Sequence, residues 1–128
     1  MCIRDRPLSD RALEIIKTMR ETPQSEFIFP SRAGKPLSNI AMLNLLKKRM
    51  GYNEYTVHGY RSSFRDWAGN CTSFNREIAE ASLAHSIGNS VERSYRRSDA
   101  LEKRRALMQA WADYCGGEQS GEVVRLHG

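Results

Sequence analysis

The sequence predicts a mainly α fold of five or six helices with at most one or two short strands. Three observations carry this reading. Apolar residues recur three and four positions apart in several separate stretches, which is helical spacing. Capping residues (Ser, Thr, Asp) stand ahead of those stretches, and Gly or Pro stands behind them. The one compact apolar run outside them, Glu26 to Pro30 (EFIFP), is too short for a helix and reads as a stub of strand or a buried connection.

Taken in order, Ser9 is positioned to cap a first helix along which Leu13, Ile16 and Met19 repeat, and Thr22-Pro23 ends it. Ser31 to Pro36 (SRAGKP) is a loop by composition. Ser38 is the expected cap of a second helix with the stripe Met42, Leu43, Leu46 and Met50, stopped by Gly51. A third helix is expected from about His58 to Asn70, with Thr56 as cap and Tyr60, Phe64, Trp67 and Ala68 on one face. Residues 75–84 form a fourth, SIGNS a turn, and Val91 to Arg97 (VERSYRR) a short helix. Asp99 is the expected cap of a last long helix with Leu101, Met108, Trp111 and Cys115 along one side, ended by Gly116-Gly117. The tail after it, residues 116–128, is polar and expected to be flexible.

With 128 residues, 40% of them hydrophobic and 27% charged, the chain suits one modest soluble domain. No run is long and apolar enough for a transmembrane helix, and MCIRDRPLSD has no secretory h-region, so no membrane partner and a cytoplasmic location are expected. Cys2, Cys71 and Cys115 are odd in number and far apart. They fit neither a disulfide framework nor a zinc spacing and read as reduced thiols, with no metal and no cofactor implied.

Charge says more. The net charge is +5, and arginine supplies fifteen of the twenty cations. Its fork grips a phosphate at two points, so the bias hints at a phosphate-bearing partner. The excess is uneven: residues 1–64 carry eleven cations and six anions, and residues 65–128 carry nine of each. A nucleic-acid-facing surface is therefore expected on Lys47, Lys48, Arg49 and Arg65, and on Arg93, Arg96 and Arg97. Lys47-Lys48-Arg49 fits equally well as a solvated helix end, where cations are favoured.

Three local features can carry chemistry. His58-Gly59-Tyr60-Arg61 opens a helix, with His58 and Arg61 on one face beside the helix N-terminus, as a phosphate pocket requires. Alone, the tetrapeptide is better read as a polar helix face whose histidine caps or packs. Leu83-Ala84-His85 ends a helix, where His85 can donate to a phosphate or cap its own helix. Tyr95 stands among Arg93, Arg96 and Arg97, a field that stabilises a phenolate and attracts a phosphodiester. It fits equally a tyrosine on the core side of an amphipathic helix.

The order is more specific than its parts. HGYRSSFRDWA, SLAHSIGN, VERSYRRSD and LEKRRALMQAWADYC resemble, in sequence and spacing, the C-terminal part of the catalytic domain of the tyrosine recombinase or phage integrase family, in its prophage and genomic-island branch. The resemblance runs over residues 7–115. It implies site-specific recombination and integration of a bacterial mobile element through a 3′-phosphotyrosine DNA intermediate. The implied partner is double-stranded DNA at attachment sites, bound by a homotetramer of the full-length parent. By similarity Tyr95 is the nucleophile, Arg61 clamps the non-bridging oxygens, His58 bonds the phosphate or takes the phenol proton, and His85 is a further phosphate ligand. Two family groups have no counterpart: an upstream arginine and a hairpin lysine that serves as general acid. Residues 1–6 are unmatched and are expected to be an artefactual start joined to a truncated frame. The fragment is therefore expected to be feebly active. Two other readings remain: a non-catalytic DNA-binding remnant of an integrase, and a helical protein whose arginines face acidic partners.

Overall fold

A computed structural model describes residues 6–22, 25–84 and 97–117, with side chains from residue 100 onward in the last segment. Five helical segments account for most of it: α1 (Asp10–Glu21), α2 (Ala41–Asn44, continued as a π-helical turn Leu45–Arg49), α3 (Gly59–Cys71), α4 (Arg76–Ser82) and α5 (Arg97–Gly116). Among the described residues there is no strand, only an isolated antiparallel bridge between Pro30 and Pro36. The mainly α expectation is met. The short helix expected over residues 91–97 lies outside the described residues except for Arg97, as do residues 118–128 of the expected tail and nearly all of residues 1–6.

The chain divides into two compact units, one of residues 1–10 with 62–128 and one of residues 11–61. The first holds the core. Phe64, Trp67 and Ala68 of α3, Ala79 of α4 and Leu107 of α5 are buried together, with Ile78, Leu83, Met108 and Ala110 packed around them. Leu107 has no exposed surface at all. Burying such a side chain contributes about 1.5–3 kcal/mol. Small residues make the seam possible: Ala68 and Ala79 let neighbouring side chains approach closely.

Aromatic packing extends this seam. Trp67 and Trp111 stand 5.0 Å apart between centroids, Phe64 meets Trp111 edge-on at 5.6 Å, and Tyr114 stacks on Trp111 at 5.7 Å. Such pairs add about 0.5–1.5 kcal/mol each beyond burial. Trp111, expected on the apolar side of the last helix, is half-buried, because Phe64 and Trp67 offer it an aromatic surface. Tyr60, expected on the buried face of α3, is exposed. It stands one turn ahead of Phe64, beyond the core's end.

Local chemistry sets the helix ends. The first backbone N–H of α1, that of Asp10, donates to Gln109 Oε1 at 2.9 Å, and Gln109 Nε2 donates to Asp113 at 2.9 Å. The start of the described chain is thereby tied to α5, and Ser9 is buried beside that bond. Without a Gly or Pro, α3 stops because the Thr72 hydroxyl donates to the Ala68 carbonyl and accepts the Phe74 N–H. Asp99 lies inside α5 rather than at its cap, since the helix begins two residues earlier, at Arg97. Gly117, at φ 76°, ends it as expected. Cys115 is exposed, but partial burial of its thiol raises the pKa above the ordinary 9.0, so it is a poor nucleophile at neutral pH.

The second unit is built differently. Residues 26–30 form neither strand nor buried connection. The Phe27 N–H bonds back to the Ser25 hydroxyl at 3.1 Å, which curls the segment, and the flanking prolines cannot donate to a ladder. Ser31 to Lys35 is the expected turn: Ser31 N–H bonds the Lys35 carbonyl, Gly34 N–H bonds the Ser31 carbonyl, and Gly34 takes φ 70°. Ser38 supplies its backbone carbonyl to the Ala41 N–H rather than a side-chain cap, and Ile40 occupies the cap position. Leu46 is buried on α2, whereas Met42 and Met50 of the expected stripe are exposed because the π turn rotates the face. Gly51, at φ 76°, stops the helix as expected.

The cavity left by Leu107→Ala is expected to lower unfolding free energy by about 3 kcal/mol in urea denaturation. A cost under about 1 kcal/mol would show that the seam is loosely packed.

Candidate functional site

The H-x-x-R tetrapeptide sits at a helix start built by Thr56. The Gly59 N–H lies 3.0 Å from both the Thr56 hydroxyl and the Thr56 carbonyl, which fixes the first turn. A Cβ on Gly59 would stand 3.3 Å from that hydroxyl, so glycine lets the cap close tightly. The Arg61 N–H bonds the His58 carbonyl at 3.0 Å, placing the two residues one turn apart. His58 is exposed and Arg61 half-buried. An accessible imidazole, a guanidinium one turn on and a capped helix start form an arrangement suited to an anion.

Arg65 is differently engaged. Its Nε lies 2.9 Å from Oε1 of Glu80, whose side chain is only 12% exposed, and Arg76 Nε approaches the same oxygen at 3.9 Å. Half of the Arg65 side chain remains exposed. Its first role is thus to brace α3 against α4. Spacing shows the Arg76–Glu80 pair, since i, i+4 partners face each other. It does not show Arg65–Glu80, which joins two helices.

The other predicted residues fall as follows. Lys47 is half-buried, and Lys48 and Arg49 are exposed, all in the π turn that ends α2. His85, Arg93, Tyr95 and Arg96 lie outside the described residues, and Arg97 opens α5 with its side chain outside them. The residue just before His85 is informative. Leu83 closes α4, and Ala84 takes φ 60°, the left-handed conformation usual for glycine after a helix. Alanine there costs about 1–2 kcal/mol. No sequence signal marks this strain, because alanine ordinarily favours helix.

A cleft of about 260 Å³ lies between α3 and α5, lined by Ser63, Asp66, Trp67, Asn70, Cys71, Trp111 and Tyr114. Of the described candidate phosphate ligands, neither His58 nor Arg61 lines it. The buried Trp67 Nε1 has no hydrogen-bond partner among the described residues. Among the described residues there is no group of three His, Cys, Asp or Glu that could hold a metal, and no helix long and apolar enough to cross a membrane.

Comparison with known proteins agrees with the order of the motifs. The chain is 43% identical over 125 residues to the prophage integrase IntA of Escherichia coli (strain K12), a match covering 94% of this chain and 30% of that protein. It is 36% identical over 113 residues to the integrase of Shigella phage Sf6, covering 84% of this chain and 29% of that one. A third relative, the integrase of Enterobacteria phage P4, is 32% identical over 115 residues, covering 84% and 26%. No family model matches the chain, and no solved structure does. These similarities define an integrase-type protein: the chain belongs to the phage integrase family. It spans about 30% of the length of the curated relatives it matches.

Two substitutions probe the local chemistry. Ala84→Gly is expected to raise stability by about 1 kcal/mol, read as a higher urea midpoint; a fall would mean that the left-handed turn is not present in solution. Thr56→Ala is expected to cost about 1 kcal/mol through the lost cap, and Thr56→Ser to restore most of it.

Proposed function

We propose that this chain is the back part of the catalytic domain of a tyrosine-type site-specific recombinase acting on double-stranded DNA. The observation that carries the reading is the H-x-x-R opening of α3, set at a threonine-capped helix start in a chain of the phage integrase family.

In this reading the Tyr95 oxygen attacks a DNA phosphorus, and a Tyr–O–P bond forms as the bond to the 5′ oxygen breaks. The phenol proton leaves to a base, with His58 as the candidate within the chain, and the 5′ oxygen departs as a hydroxyl after taking up a proton. Arg61 binds the non-bridging oxygens and offsets the charge that builds in the five-coordinate transition state. His85 donates to the same phosphate. The bond energy is kept in the phosphotyrosine, so rejoining needs no nucleotide and no metal. Lys47, Lys48, Arg49, Arg93, Arg96 and Arg97 supply backbone contacts, which hold duplex without reading its sequence. Arg65 joins them only with the part of its guanidinium that Glu80 leaves free. Assembly as a homotetramer on attachment sites belongs to the full-length parent.

No residue of this chain matches the family's upstream arginine or hairpin lysine. Each such group is worth about 10²-fold or more in rate, so the chain alone should cleave slowly.

The test is a nicked duplex that traps the covalent product. A DNA adduct resistant to denaturant is expected from the wild-type chain, absent from Tyr95→Phe, and reduced about 10²-fold in Arg61→Ala. An adduct that persists in Tyr95→Phe would remove Tyr95 from its role. Salt-sensitive duplex binding without any adduct would make the chain a non-catalytic DNA-binding remnant.

A further inference from the structure

Residues 47–61 hold three of the chain's five tyrosines, the four cations Lys47, Lys48, Arg49 and Arg61, and one anion, Glu54. Tyr52, Tyr55 and Tyr60 are 48%, 61% and 55% exposed. The whole segment belongs to the unit of residues 11–61. Backbone bonds give it a fixed course. Gly51 turns the chain at φ 76°, and the Tyr52 N–H donates to the Leu46 carbonyl at 3.0 Å, which ties Tyr52 back to the π turn bearing Lys47, Lys48 and Arg49. The Asn53 N–H donates to the Gly51 carbonyl at 3.0 Å, and Thr56 caps α3, whose first turn carries Tyr60 and Arg61.

These rings are set differently from those of the core. Tyr114 lies nearly parallel to Trp111, at 22°, so Trp111 covers its face. Tyr52 and Tyr55 meet at 85°, with centroids 5.9 Å apart. An edge-on contact covers one face of one ring and leaves the remaining faces to solvent. Open aromatic faces among cations suit a single nucleic-acid strand, because the cations follow its phosphates while the rings stack on its bases. A closed duplex offers its grooves only base edges, so a ring finds no base face there to stack on. An acidic protein would satisfy the cations and leave the ring faces bare.

We infer that Tyr52 and Tyr55, together with the cations Lys48 and Arg49, form a stacking platform for unpaired DNA bases. The choice of DNA rests on the proposed function. In that reading, rejoining to a new strand requires the freed 5′ end to leave its own duplex, so its first bases must unpair. The platform supplies what backbone contacts do not: a hold on the bases themselves, one that tolerates any sequence because every base has a flat face. It is independent of the chemistry assigned to Tyr95, because its test reads binding and not cleavage.

The test reads fluorescence anisotropy as the 128-residue chain is added to labelled probes of about 16 nucleotides. The probes are an oligothymidylate, an abasic strand with the same phosphates, and a duplex. The oligothymidylate is expected to bind about tenfold more tightly than the abasic strand. Tyr52→Ala and Tyr55→Ala change only exposed positions. Each should remove most of that preference and alter duplex binding by less than about twofold, whereas Tyr55→Phe should keep the preference. The double variant Lys48→Ala, Arg49→Ala should weaken all three probes alike. Three results would overturn the inference: no preference for the oligothymidylate over the abasic strand; a preference that persists in Tyr55→Ala; or tighter binding of an oligouridylate, which would assign the platform to RNA. Duplex binding without the preference would sink this inference and leave the recombinase reading standing. The preference without any covalent adduct would do the reverse.

Discussion

The packing of Leu107 against the small residues of α3 and α4 is the contact on which the described core depends. Ala68 and Ala79 leave room, and Leu107 fills it completely. Everything else in that unit is added around this seam: the aromatic cluster of Phe64, Trp67, Trp111 and Tyr114 along one side, and the Arg65–Glu80 ion pair along the α3–α4 junction. The ion pair is secondary in energy, because half of the Arg65 side chain is in water. It matters for direction, since it fixes how α4 meets α3, and α4 ends on the strained Ala84 that leads to His85.

Much of this was legible in the residues. Helix number, the stops at Gly51 and Gly117, the Thr56 cap and the buried trio of α3 follow from 3.6-residue periodicity and capping chemistry, which are local properties. The errors share a cause: they concern what a residue meets from elsewhere in the chain. Tyr60 shares the helical spacing of Phe64 whether the core reaches it or not. Leu107 gave no sign of being the most buried residue, because Met108 beside it is equally apolar and one position decides which points inward. EFIFP reads as a stub of strand or a buried connection until it is clear that no partner strand among the described residues meets it and that the Ser25 hydroxyl takes the Phe27 N–H.

The candidate site divides in the same way. His58 and Arg61 were readable as a pair because a single helical turn joins them, and that turn is present. The tie between Arg65 and Glu80 was not readable, because a contact between two helices leaves no spacing in the sequence. The family resemblance brings His85 and Tyr95 into the site by motif order, an argument from the linear sequence in which geometry plays no part.

The bond from Asp10 to Gln109 joins positions 99 residues apart. During synthesis the donor leaves the ribosome long before its acceptor exists. At typical elongation rates the wait is roughly 5–20 s. Through that interval the first N–H of α1 has only water to bond, and α3 and α4 have no α5 to close their seam. The order of translation thus delays the completion of this unit until α5 has been made, and a chaperone that holds the nascent polypeptide can act throughout that interval.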